Sequence, residues 1–125
     1  MPFRGDKYVT PLYDAGGPGR PIQGGTGVWL SVGYRRFLVT AAHVVDERFL
    51  WFPMERGYKR LESPGVITNV PDGGRKTDRT DLAIFHLNEA DIGAMNPFFQ
   101  FVSEDMLEVE LQLGAGERYE VCGYP

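Results

Sequence analysis

From residue 24 onward, short runs of β-branched and aromatic residues alternate with glycine- and proline-rich breaks. Such spacing predicts strands and turns rather than long helices. Gly27–Val32 (GVWLSV) reads as a strand, Gly33-Tyr34-Arg35-Arg36 as a hairpin turn, and Phe37-Leu38-Val39-Thr40 as the returning strand. Ala41–Asp46 has room for one or two turns of helix. Phe49–Phe52 (FLWF), closed by Pro53, is again strand-like, with a second hairpin expected around Arg56-Gly57 and a further strand over Gly65–Val70. Pro71–Thr80 (PDGGRKTDRT) is a polar, turn-rich loop. Leu82–Leu87 (LAIFHL) follows as a strand apolar on both faces, the pattern of a wall covered on two sides. Beyond it the pattern predicts a short helix near Glu89–Met95, a strand near Leu107–Leu113, and a last strand over Tyr119–Gly123 after the turn at Gly114-Ala115-Gly116. Residues 1–23 hold four prolines and Gly-Gly-Pro-Gly at 16–19, with neither period two nor period 3.6, and read as an irregular arm or a lead-in to a strand edge. Short strands joined by hairpins, with one internal excursion, predict an all-β domain: a small six-stranded Greek-key barrel over residues 24–125.

A chain of 125 residues suits one domain rather than two. The 16 glycines and 9 prolines disfavour a helical bundle, and 42% hydrophobic content argues against disorder. With a formal charge of −4 and basic residues scattered in short pairs such as Arg35-Arg36 and Lys59-Arg60, there is no concentrated basic face for nucleic acid. No apolar run approaches the ~18 residues of a membrane span, and the amino terminus has no apolar core of a signal peptide. With a single cysteine, Cys122, an internal disulfide is impossible, so a reducing, cytoplasmic setting is expected.

Candidate chemistry sits at two places. In Phe37-Leu38-Val39-Thr40-Ala41-Ala42-His43-Val44-Val45 a strand runs into two small residues and then a histidine. Ala41 and Ala42 let the backbone pass close to packed neighbours and fix the imidazole at the sheet rim, as a general base requires. In Asp78-Arg79-Thr80-Asp81-Leu82-Ala83-Ile84, Asp81 is the last polar residue before an apolar strand, where a carboxylate can meet His43 Nδ1, hold its tautomer and stabilise the imidazolium. Asp78, in the loop, is the weaker competitor. For each residue a structural role stands beside the chemical one: a hydrogen-bonded histidine at 43, a turn-capping carboxylate at 81.

Taken together these stretches resemble the trypsin-like (chymotrypsin-fold) serine proteases. The resemblance rests on Gly27–Val32, Thr40-Ala41-Ala42-His43, Asp81-Leu82-Ala83 and Val121-Cys122-Gly123-Tyr124-Pro125, in the family's order, and spans about residues 24–125. It implies the N-terminal barrel of a two-barrel serine endopeptidase, with His43 as general base and Asp81 as its orienting carboxylate, no cofactor and no metal. Val44 stands where secreted animal members carry cysteine, which brings the pattern closer to bacterial members. The family's second barrel, with its Gly-Asp-Ser-Gly-Gly loop, oxyanion hole and specificity pocket, has no counterpart in residues 1–125. The resemblance therefore implies a polypeptide substrate, a missing C-terminal barrel as partner, no activity from this stretch alone, and self-association through the exposed inter-barrel face. The alternative is a non-catalytic half-barrel that binds a peptide or protein.

Other residues make weaker candidates. Ser31 lies in a strand, Ser63 precedes a proline and Ser103 is in an acidic stretch; none has a glycine-rich oxyanion loop. Cys122, in a strand, reads as a small buried thiol rather than a nucleophile. His86 reads as a surface or rim residue. Two histidines and one cysteine make a poor metal set, and Asp46-Glu47 after His43 reads as a charged helix end. The glycine stretches lack a phosphate loop's Lys-Ser/Thr, and Trp29, Trp51, Phe52 and Phe85 are expected in the core.

Overall fold

A computed structural model of the chain describes residues 5–14, 22–46 and 49–107. The chain is mostly β. Its strands are β1 (Val9–Asp14), β2 (Ile22–Val32), β3 (Arg35–Ala41), β4 (Leu50–Pro53), β5 (Tyr58–Arg60), β6 (Gly65–Ile67), β7 (Leu82–His86) and β8 (Val102–Ser103). Two short α-helices interrupt them, α1 (Ala42–Val45) and α2 (Glu89–Ala94). Hydrogen bonds order one sheet as β5-β4-β1-β2-β3-β7-β6, antiparallel throughout, while β8 pairs parallel with β2.

Turn chemistry explains the hairpins. Gly33, at φ 59, takes the first central position of the two-residue β2–β3 turn, the place where a II′ turn requires glycine. Pairing thus resumes at Arg35, two residues earlier than the sequence pattern predicts, because only Gly33 and Tyr34 are needed to reverse the chain. The β4–β5 reversal closes with the Met54 N–H on the Gly57 carbonyl at 2.9 Å, and Gly57 supplies the left-handed φ of 78.

The sheet must curl, as chain connectivity shows. Laid flat, a seven-strand path would hold its edges roughly 29 Å apart at ~4.8 Å per strand. Yet edge strands β5 and β6 are joined by residues 61–64 alone, a reach of roughly 18 Å when extended. That link is bonded at both ends, from Leu61 N–H to the Leu50 carbonyl (2.8 Å) and from His86 N–H to the Pro64 carbonyl (3.0 Å). The concave side encloses Leu12, Trp29, Leu38, Phe52 and Ala83, all fully buried, with Val44, Leu50 and Phe85 around them. Trp29 meets Phe52 edge-on at 5.8 Å between centroids and Phe101 at 6.0 Å, an arrangement that aromatic quadrupoles favour.

Asp91 fastens the same closing segment. Its side chain, wholly buried, accepts hydrogen bonds from Lys59 Nζ and Ser63 Oγ and from the Glu62 and Ser63 N–H groups (3.1 and 2.9 Å). Asn88 caps α2 by accepting the Asp91 N–H at 2.8 Å. Burial pushes the Asp91 carboxyl pKa up, but the Lys59, Ser63 and Glu62 donors outweigh it and hold the acid below its ordinary 3.8.

Four expectations need correction. Where the pattern predicts six strands, eight are present among the described residues, because β1 joins the sheet and the two-residue β8, which no sequence pattern marks, pairs with β2. Residues 9–14, within the stretch read as an irregular arm, form β1, which sits inside the sheet between β2 and β4. Its Val-Thr-Pro-Leu run is buried at every position, so no alternation marks it in the sequence. The strand expected over Gly65–Val70 ends at Ile67. On β7 the outer face is not covered: Ala83 and Phe85 point to the core, whereas Leu82 and His86 are exposed. The short helix near Glu89–Met95 is present as α2, whereas the strands expected near 107–113 and over 119–123 lie outside the described residues apart from Leu107.

Replacing Asp91 by alanine leaves the Lys59 ammonium, the Ser63 hydroxyl and two N–H groups without their shared acceptor. Such a break in a buried pair costs about 3–5 kcal/mol, an expected loss in unfolding free energy that urea titration measures. Glu62→Ala, at the exposed end of the Lys59 contacts, is expected to shift the midpoint far less.

Candidate active site

The β3–β7 register sets the site. Thr40 pairs with Ala83 and Ala41 with Leu82, so the chain leaving β3 and the chain entering β7 meet at one end of the sheet. His43 lies two residues beyond Ala41 and Asp81 one residue before Leu82. Their convergence follows from that pairing.

Helix α1 begins at Ala42 without a side-chain cap of its own, since Ala41 has none to offer. Asp81 does the capping from across the sheet: its carbonyl accepts the Ala42 N–H at 3.0 Å and its Oδ1 accepts the His43 N–H at 2.9 Å. The other carboxylate oxygen, Oδ2, lies 2.6 Å from His43 Nδ1. One acid therefore fixes both the main chain and the ring of the histidine. The small residues act as expected, with Ala42 fully buried. Gly25 is also required, because a Cβ there would stand 2.6 Å from Val44 Cγ2 and lift α1 off β2.

Asp81 occupies φ 43, the sole non-glycine positive φ among the described residues. Aspartate tolerates this left-handed region better than most residues, but a surrounding structure must hold it there. Asp78 supplies that hold from the turn before it, its Oδ1 accepting the Thr80 N–H at 2.9 Å. Its Oδ2 also receives Thr68 Oγ1 and Arg75 Nη1, each at 2.8 Å. Of the two candidate acids, then, Asp81 meets the imidazole and Asp78 shapes the turn that presents it.

The electrostatics agree with this division. Hydrogen bonds from the His43 ring and then from its N–H hold the Asp81 carboxyl below the usual value of 3.8, against the opposing effect of burial. The Asp81 N–H, with Thr68 and Arg75, drives Asp78 far below the same value. With Nδ1 facing a carboxylate, the proton of a neutral ring is held there and the lone pair is left on Nε2. The His43 side chain is 61% exposed and no described residue bonds its Nε2, so an incoming hydroxyl or water can reach it.

The remaining candidates are placed elsewhere. His86 stacks on Phe37 at 5.2 Å on the outer face. Ser63 is buried against Asp91, Ser103 bonds Asp105, and Ser31 lies on β2; no hydrogen bond among the described residues joins any of them to His43. Trp29, Phe52 and Phe85 are in the core, with Trp51 half-buried. Cys122 lies outside the described residues. Asp46, expected as a charged helix end, is paired with Arg75. Among the described residues no three His, Cys, Asp or Glu side chains are grouped to hold a metal ion, and no helix is long and apolar enough to cross a membrane. No family model, curated protein or solved structure matches the chain.

Asp46, Asp78, Asp81 and Asp91 all have carboxyl pKa values below 3.8 in the folded chain. Each binds its proton more weakly folded than unfolded, so its stabilising effect is complete above the unfolded value. It is lost as pH falls through the lower folded value. The urea midpoint is expected to be level above about pH 5 and to decline steadily toward about pH 2, with a shallower decline in Asp81→Asn.

Proposed function

We propose that this curled sheet is the first Greek-key barrel of a trypsin-like serine endopeptidase, its rim carrying the general base and its orienting acid. The observation that carries the proposal is the 2.6 Å contact between His43 Nδ1 and Asp81 Oδ2, made by a ring whose other edge is open to solvent. A histidine serving only to stiffen the fold gains by burying its ring and bonding both nitrogens; this one does neither among the described residues. The capping of α1 by the same carboxylate adds a second restraint, which suits a base that must keep its position through a reaction cycle.

In the proposed reaction a serine from outside residues 1–125 brings its hydroxyl to His43 Nε2. The ring takes the hydroxyl proton as Oγ attacks the peptide carbonyl, and the imidazolium faces an ionised Asp81. His43 then passes the proton to the departing amine, and water repeats the sequence to release the acyl group. Oxyanion donors and the specificity pocket belong to the same outside segment.

The outer face supports a covering partner. Register places Val28, Val39, Ile84 and Val66 in one row across β2, β3, β7 and β6, and Val28 and Val66 are 37% and 79% exposed. An apolar row of this kind is a recurrent site of association.

Expression of the coding sequence extended past codon 125 tests the proposal. Peptidase activity on casein is expected, with Asp81→Asn lowering kcat by about 10⁴-fold and His43→Ala by a comparable factor. Residues 1–125 alone are expected neither to cleave casein nor to take up a fluorophosphonate, and labelling of this stretch would overturn the assignment of the nucleophile. A downstream sequence without a serine loop would favour the non-catalytic binding module. Residues 1–125 are also expected to self-associate with rising concentration in sedimentation velocity, and Val66→Asp to reduce it.

A further inference from the structure

One guanidinium in the polar loop links both arms of the site. Arg75 sits in the short turn Arg75–Thr77 with its side chain only 13% exposed. Its Nε and Nη2 donate to Asp46 Oδ2 and Oδ1 at 2.7 and 2.6 Å, a two-pronged grip on one carboxylate. Its Nη1 donates to the Thr68 carbonyl and to Asp78 Oδ2, both at 2.8 Å.

Each of those acids leads to the His43–Asp81 pair. Asp46 terminates α1, with its N–H on the Ala42 carbonyl at 3.1 Å, three residues beyond His43. Asp78 accepts the Thr80 N–H, one residue before Asp81, and so supports the left-handed turn there. The bonds form a closed circuit: His43, α1, Asp46, Arg75, Asp78, Thr80, Asp81 and back to His43. Without Arg75 the circuit opens on the side away from the ring. Asp46 and Asp78 then lose the cation between them, and Asp78 repels the neighbouring Asp81 carboxylate.

We infer that Arg75 is a positioning residue for the base: it clamps the end of α1 to the turn that presents Asp81, and so keeps the His43 proton on Nδ1 and the lone pair on Nε2. The inference rests on the reading of His43 as a general base. Lysine cannot replace Arg75, because a single ammonium lacks the planar fork that grips Asp46 while also reaching Thr68 and Asp78.

The test reads the ring itself. Two-bond ¹H–¹⁵N correlation spectra of the 125-residue chain, recorded at about pH 9 where an ordinary imidazole is neutral, report which ring nitrogen carries the proton. The unaltered chain is expected to show mainly the Nδ1–H tautomer. Arg75→Gln and Arg75→Lys are each expected to lower the Nδ1–H to Nε2–H ratio by about fivefold, the scale of coupling within one hydrogen-bond network. Ser63→Ala, which destabilises a separate network, is expected to leave the ratio within about twofold. If the Arg75 variants fail to fold, Asp46→Asn opens the circuit at its other joint, and a lowered ratio there supports the inference. An unchanged ratio in any folded circuit variant would overturn it while leaving the His43–Asp81 pair standing. Predominant Nε2–H in the unaltered chain would instead remove the base reading, and the inference with it.

Discussion

The site depends on a single carboxylate that joins two strands. Asp81 gives its carbonyl and one side-chain oxygen to the first turn of α1 and the other oxygen to the imidazole. A four-residue helix has too few internal bonds to hold itself. Its orientation is therefore borrowed from β7 through Asp81, and the ring direction is set by the same contact. Asp81→Asn separates these roles in part: the main-chain carbonyl stays on the Ala42 N–H and an amide oxygen can still accept the His43 N–H, while the carboxylate that faces Nδ1 is lost.

How far this was legible in the sequence varies with the range of the interaction. The β2–β3 hairpin and the β7 strand are local patterns, written in Gly33 and in the apolar run from Leu82. Asp81 could be picked out because it is the last polar residue before an apolar strand, and His43 because it follows a strand end and the small residues Ala41 and Ala42. β1 escaped because Pro11 interrupts it and its residues are buried on both sides, which leaves no period for a pattern to show. The pairing of Arg75 with Asp46 and the partners of Asp91 escaped for another reason. Each is decided by sheet closure, which brings together segments far apart along the chain.

Two acids with similar surroundings in the sequence end in opposite settings. Asp91 is wholly buried under the segment that joins the sheet edges, held by Lys59, Ser63 and the Glu62 N–H. Asp81 keeps 30% of its side chain exposed, beside a ring that is more exposed still. The first arrangement spends a charge on closing the fold. The second leaves a charge where an imidazolium can form next to it, and the proposed chemistry needs that difference.

The acidic balance of the chain sharpens this point. Asp46, Asp78 and Asp81 gather around one turn, and three carboxylates so close would ordinarily raise one another's proton affinity. All three are instead held below the ordinary carboxylate value, by donors that differ in kind: Arg75 first for Asp46, a main-chain N–H first for Asp78, the imidazole first for Asp81. Because Arg75 is bound to two of the three and not to Asp81, it lowers the local negative charge without competing for the oxygen that faces the ring. The separation of neutralising group from orienting group lets an acidic rim present a basic nitrogen.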